Sequence, residues 1–76
     1  MAHIVIYDAL IKKYEADIAD ASAKITILMT ETRIIPEHID VTGEIDKLLG
    51  KIEEAESRMA ILQRVYGVNV AFNYTL

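Results

Sequence analysis

Apolar residues recur along residues 4–28 in alternating steps of three and four. The series is Ile4, Tyr7, Ile11, Tyr14, Ile18, Ala21, Ile25 and Leu28. Residues at this spacing lie on one face of a helix, and a strict repeat over about four heptads forms the narrow apolar stripe of a coiled coil. The pattern predicts a long helix that buries this stripe against a second helix.

A second apolar series with the same spacing follows later in the chain. Its members are Ile45, Leu48, Ile52, Ala55, Met59, Leu62 and Tyr66. The series stops at Gly67, and glycine commonly follows the last turn of a helix. Asp40 or Thr42 is the expected N-cap, because either side chain can accept a hydrogen bond from a backbone N–H of the first turn. We therefore predict a second helix over residues 42–66.

The first helix is predicted over residues 8–33, with Asp8 as its N-cap. The connection over residues 34–41 contains Pro36, which disfavours helical geometry at the residue before it. So short a connection joins antiparallel neighbours more readily than parallel ones. The sequence predicts a mainly α fold, in which residues 1–76 form a single domain built on an antiparallel two-helix coiled-coil hairpin.

The two series also fit each other in register. Facing positions of an antiparallel hairpin have numbers that add to a constant, and a constant of 73 aligns six apolar pairs. The predicted seam residues are Ile11, Tyr14, Ile18, Ala21, Ile25, Leu28, Ile45, Leu48, Ile52, Ala55, Met59 and Leu62. Each alanine faces an isoleucine, so large and small side chains alternate as interdigitation requires. The same register brings Asp17 close to Arg58 across the seam and sets Lys24 against Lys51.

The end of the chain follows a different period. After residue 67, apolar side chains fall on every second position, which is the pattern of a strand. We expect residues 67–76 to form a strand-like tail. Two partners for it stay open: the N-terminal segment of the same chain, or an exposed sheet edge of another molecule, to which the tail adds as a strand by β-augmentation.

Residues 1–7 permit two interpretations. HIVIY at residues 3–7 has β propensity, and an antiparallel hairpin brings both termini to one end. This segment can therefore be strand-like and pair with the tail in a β-α-α-β arrangement. Alternatively, Ile4 and Tyr7 continue the heptad pattern, so that the first helix begins at residue 2 or 3.

The apolar content exceeds what so short a chain can bury alone. Hydrophobic residues make up 53% of the 76 positions, whereas a domain of ~60 residues hides only about 60% of the surface of its unfolded chain. The surplus favours an oligomer. The residues predicted to form a protein interface, at the end that carries both termini, are Ile4, Ile6, Leu10, Ile61, Val65, Tyr66, Val68, Val70, Phe72 and Tyr74.

Charge and residue content argue against several classes of function. The net charge of −4 disfavours binding to nucleic acids and to anionic membranes. The chain has no cysteine and shows neither a catalytic constellation nor a glycine-rich phosphate loop, so we expect no catalytic residue, metal, cofactor or small-molecule ligand. It also shows no secretion signal or membrane-spanning segment, which favours the cytoplasm or a macromolecular assembly.

Two functions of different classes fit these features. The first is a non-enzymatic structural protein, a helical-hairpin subunit that self-associates and docks into a larger complex, such as a virion, through its apolar ends and its tail. The alternative is a small acidic regulatory binder, similar to an antitoxin or an adaptor, that dimerises through the hairpin and captures a protein target with its tail. The expected partners are copies of the same chain, a larger protein, or both.

Overall fold

The structure is a computed structural model that describes residues 2–31 and 40–67. Helix α1 spans Ala2–Thr30 and helix α2 spans Val41–Leu62, and a π-helical turn, Gln63–Gly67, continues α2. The two helices pack against each other as a hairpin, and the body measures 57 × 16 × 16 Å. The mainly helical hairpin predicted from the two apolar series is confirmed.

The N-terminal segment is helical. Helix α1 begins at Ala2, so the strand-like interpretation of residues 3–7 is wrong, and with it the β-α-α-β arrangement at this end. Ile4 and Tyr7 are half-buried, and their contact with the rest of the hairpin outweighs the local β propensity of HIVIY. Asp8 consequently lies inside the helix rather than at its N-cap. The part of the chain that the structure describes contains no strand; the tail predicted over residues 67–76 lies beyond it apart from Gly67.

Helix α1 ends at Thr30, three residues before the predicted boundary. Threonine side chains in its last turns bond to the preceding turn: Thr30 Oγ1 donates to the carbonyl oxygen of Thr26 at 2.6 Å, and Thr26 Oγ1 donates to that of Ser22 at 3.0 Å. Hydrogen bonds of this kind and the stiff β-branched side chain make threonine a weak helix former. Most of the predicted turn, residues 34–41, lies outside the described residues.

Asp40 is the N-cap of α2. Its side chain accepts a hydrogen bond from the backbone N–H of Gly43 at 3.0 Å, and its carbonyl oxygen accepts one from the N–H of Glu44 at 2.9 Å. A Cβ atom added to Gly43 would lie 2.9 Å from Cγ of Asp40, which is closer than real side chains approach. Glycine at this position therefore leaves room for the capping carboxylate.

Alanine substitutions at two glycines of α2 test this cap. We expect Gly50→Ala to raise the free energy of unfolding by up to about 1 kcal/mol, because alanine has the higher helix propensity and no described atom lies within 4 Å of the added methyl group. Gly43→Ala should give no such gain, since the methyl group displaces the Asp40 carboxylate and a cap contributes about 1 kcal/mol. Urea denaturation measures both variants, and equal stabilisation by the two would contradict the role of Asp40.

Few residues of the seam are fully enclosed. Among the described residues the buried apolar ones are Ala21, Leu48 and Ala55, with 1%, 8% and 4% of their surface exposed. The other nine predicted seam residues are half-buried. Two packed helices bury only the side chains directly between them, so water reaches the rest of the seam from both sides. The hairpin therefore has a thin core for its length.

The π-helical turn changes which residue faces α1 at the end of α2. A π turn holds one more residue than an α turn, so it rotates the following side chains away from the heptad pattern. Tyr66, the last member of the second apolar series, is 55% exposed, whereas Gly67 is half-buried. A Cβ atom on Gly67 would lie 3.2 Å from the hydroxyl oxygen of Tyr7. Because Gly67 has no side chain, the hydroxyl group of Tyr7 can fit against the turn. The φ angle of Gly67 is not positive.

Candidate functional site

Exposed apolar side chains concentrate at the end of the hairpin that carries the termini. Five of the eight large apolar side chains that stand out to solvent among the described residues lie here, each 46–68% exposed. We call these five residues the apolar end: Val5, Ile6, Ile61, Val65 and Tyr66. They come from both helices, which lie close together where Tyr7 approaches Gly67.

The predicted interface residues fall into three groups in the structure. Ile6, Ile61, Val65 and Tyr66 are exposed at the apolar end. Ile4 and Leu10 are half-buried beside them. The remaining four belong to the tail outside the described residues: Val68, Val70, Phe72 and Tyr74.

The other exposed apolar side chains are more scattered. Ile27 and Met29 lie near the end of α1, and Leu49 lies in the first half of α2. A shallow groove borders Leu49, together with Glu53 and Glu56. These side chains do not form a cluster comparable to the apolar end.

One long side of the hairpin carries four ion pairs. Each pair joins residues of the same helix, at N–O distances of 2.6 to 3.4 Å. The pairs are Lys13–Asp17, Asp20–Lys24, Glu44–Lys47 and Glu54–Arg58. Together with Lys51, these residues define what we call the ion-paired side, which carries five basic and four acidic side chains. All nine are exposed, so each pair contributes only a few tenths of a kcal/mol, ~0.3–0.5 for neighbours on a helix.

A groove of about 310 Å³ runs along the ion-paired side. Asp17 and Asp20 of α1 line it together with Lys51 and Arg58 of α2. Asp17 and Arg58 thus lie on the same stretch of the hairpin, as the predicted register requires. The recorded ion pairs of both residues, however, are with neighbours on their own helices.

The opposite side of the seam is acidic. It carries five carboxylates and one base, all exposed. These residues, which we call the acidic side, are Asp8, Lys12, Glu15, Asp46, Glu53 and Glu56. The two long sides therefore differ in charge, although the sequence shows only the overall excess of acids. The difference could have been found by placing the charges on the heptad positions that flank the seam.

Comparisons with protein-family models, with curated proteins and with solved structures find no match to this chain. Its surfaces must be interpreted from their own chemistry.

The described residues offer little to a metal ion or a buried substrate. They contain no group of three histidine, aspartate or glutamate side chains that could hold a metal, and none of their buried side-chain polar atoms lacks a hydrogen-bond partner. No helix in this part of the chain combines the length and apolar character that crossing a membrane requires. The apolar end and the two long sides remain the features of functional interest.

Proposed function

We propose that this chain is a non-enzymatic structural protein, a helical-hairpin subunit that self-associates and docks into a larger assembly through its apolar ends and its C-terminal tail. The observation that carries the proposal is the imbalance between the core and the surface. Three apolar residues are buried among the described ones, while eight large apolar side chains are 46–68% exposed. An isolated hairpin would leave about half of the surface of each of these eight side chains in water.

The size of the hydrophobic effect supports association at the apolar end. Burying one large aliphatic side chain contributes about 1.5–3 kcal/mol, and association costs roughly 4–15 kcal/mol in lost translational and rotational freedom. These side chains are already about half covered, so each adds about half of the value for full burial. One side chain cannot offset the cost of association, but the five side chains of each of two copies, which together contribute roughly 8–15 kcal/mol, can. Association would also stabilise a hairpin whose own core is thin, as small domains often require.

The charged residues support a role without catalysis. Those of the ion-paired side are exposed, and the recorded pairs join neighbours three or four residues apart on one helix. In the single hairpin this arrangement is typical of a helix surface without catalytic groups. Active sites instead tend to hold charged groups in burial or in crowded clusters of like charge.

The acidic side favours an alternative function of a different class. In this alternative, the chain is a small acidic regulatory binder, antitoxin-like or adaptor-like, that dimerises through the hairpin and captures a protein target with its tail. A row of exposed carboxylates would attract a basic target and accelerate its approach. Such a protein would remain a monomer or dimer on its own and would form larger complexes only with its target.

Loss of the tail tests the proposed role in assembly. We expect removal of residues 68–76 to reduce the size of the assembly while helical content stays close to that of the full chain, because both helices end before this segment. Sedimentation velocity measures the size, and far-ultraviolet circular dichroism measures the helical content.

A pair of full-length variants controls for the shorter chain. Replacing Phe72 and Tyr74 with serine removes apolar side chains of the tail and should reproduce the loss of size. Replacing Asn69 and Asn73 with serine alters neighbouring polar positions and should have no effect. An unchanged sedimentation coefficient in both the truncated chain and the Phe72/Tyr74 variant would contradict the role of the tail.

A further inference from the structure

The two long sides of the hairpin offer different surfaces to a second copy of the chain. Two acidic sides in contact would oppose five carboxylates of one copy with five of the other. The ion-paired side carries five bases and four acids, so two such sides can meet with opposite charges facing each other. Since like charges in contact disfavour association and opposite charges favour it, charge selects the ion-paired side.

The ion-paired side continues into apolar residues at the apolar end. Ile61 follows Arg58 by three positions, so the two side chains lie on one helix face. Val65 comes four positions after Ile61, within the π-helical turn. On α1, Leu10 precedes Lys13 by three positions and Ile6 precedes it by seven. We call this extension the terminal patch: Ile6, Leu10, Ile61 and Val65. Three of its members belong to the exposed apolar end, and Leu10 is half-buried.

We propose that a second copy of this chain docks on the ion-paired side, in a two-fold dimer whose axis runs along the hairpin. Both sets of termini then lie at the same end, and the terminal patch of one copy faces that of the other. Helix α1 of each copy lies opposite α2 of its partner, so the dimer is a four-helix bundle. This inference rests on the proposed self-association and specifies its surface and its geometry.

Charge along the groove favours this orientation. Asp17 and Arg58 line the same stretch of the groove, as do Asp20 and Lys51. With the termini together, Asp17 of one copy therefore faces Arg58 of the other, and Asp20 faces Lys51. Both of these contacts join opposite charges, whereas Lys24, which the same register sets against Lys51, adds one contact between like charges.

The reverse orientation has unfavourable contacts. If the two copies ran in opposite directions, Asp17, which lies near the middle of α1, would face Asp17 of the other copy. The terminal patch would face the charged residues at the far end of the same side, which include Lys24 and Lys47. Within the described part of the chain, Lys24 and Lys47 form ion pairs only within their own helices, and covering these pairs with apolar side chains would remove their water without adding a new partner.

The dimensions of the hairpin suit an interface along its full length. A side of 57 × 16 Å has an area of about 900 Å², close to the ~800 Å² that each partner contributes to a stable complex. The terminal patch alone is much smaller than this. Contact along the whole ion-paired side therefore reaches the required area, with the patch as its apolar part.

Two matched substitutions test the surface. Ile61 and Leu49 are exposed to nearly the same extent, 50% and 52%, but Ile61 belongs to the terminal patch and Leu49 borders the acidic side. We expect Ile61→Asp to raise the dissociation constant of the dimer about 100-fold, because each copy then loses an apolar side chain from the interface and places a carboxylate among the other apolar residues of the terminal patch, at a cost of about tenfold per copy. Leu49→Asp should leave the constant within a factor of about two, as for a residue outside the interface.

Sedimentation equilibrium of the full-length chain and both variants measures these constants. An effect of Ile61→Asp alone supports the proposed surface. A wild-type dimer that Ile61→Asp leaves intact, or that both substitutions weaken equally, overturns the choice of surface but not self-association. A monomeric wild-type chain overturns the proposed function itself.

The orientation has a separate test. The chain contains no cysteine, so Thr30→Cys provides one site for a spin label at the exposed end of α1. The proposed dimer places both labels at the same end, at a distance well below the 57 Å length of the hairpin. A distance approaching that length, measured by double electron–electron resonance, would show the reverse orientation and contradict the proposal.

Discussion

Replacing Leu48 with aspartate is expected to abolish the cooperative thermal unfolding of the hairpin. Leu48 is the largest of the buried apolar residues among those described. The substitution removes about 1.5–3 kcal/mol of hydrophobic stabilisation and places an unpaired carboxylate at the seam, which costs at least as much again. The combined loss approaches the entire stability of a small domain, roughly 5 kcal/mol. Circular dichroism at 222 nm during heating measures the transition.

The neighbouring residue provides a matched control for this experiment. Leu49→Asp introduces the same charge one position later, where the side chain is 52% exposed. Its carboxylate stays in water, so we expect a melting temperature within a few degrees of wild type, as for most surface substitutions. If Leu48→Asp unfolds cooperatively at the wild-type temperature, the seam is not the main source of stability. Equal losses in both variants would contradict burial of Leu48 as the reason for its effect.

Replacing Ala21 with leucine is expected to lower the melting temperature by about 5–20 °C. Ala21 is 1% exposed, and its small side chain lets the two helices approach each other. Three added carbon atoms overpack the seam, at a cost of about 1–3 kcal/mol, and each kcal/mol lowers the melting temperature of a small domain by roughly 4–8 °C. Differential scanning calorimetry measures the change.

Ala23→Leu is the control for overpacking. Ala23 is exposed on the same helix, and leucine is close to alanine in helix propensity, so its melting temperature should change little. A melting temperature of Ala21→Leu at or above that of the wild type would contradict the close approach of the two helices at Ala21.

The periodicity of the sequence was sufficient to predict the hairpin. A strict repeat of three and four positions constrains a helix to one buried stripe, and residues of that stripe such as Leu48 and Ala55 are the most buried in the structure. The cap at Asp40 was also foreseeable, because capping depends on local chemistry within three residues.

Other features depend on competition between local preference and packing in the folded hairpin, which the sequence pattern alone does not decide. HIVIY has the propensity of a strand, yet Ile4 and Tyr7 gain more by packing in the hairpin. The π-helical turn adds one residue to a helix without any signal in the heptad, so Tyr66 turns out to solvent and Gly67 turns in. Asp17 was expected to attract Arg58 across the seam. It instead forms an ion pair with Lys13, four residues earlier on its own helix.

The candidate surface was predictable in part. The excess of apolar residues near both termini indicated an interface at that end, and Ile6, Ile61 and Val65 are exposed there. The division of charge between the two long sides was less evident, because the net charge of −4 averages over both. It appears only when each charged residue is assigned to a side of the folded hairpin.

The molar mass of the purified full-length chain is the most direct test of the central claim, which is that a second copy covers apolar surface the hairpin leaves exposed. Sedimentation equilibrium from micromolar to millimolar concentration should give a defined oligomer, with a mass that is a multiple of 8.6 kDa and at least twice that value. A single species of 8.6 kDa that persists up to the highest concentration would contradict it.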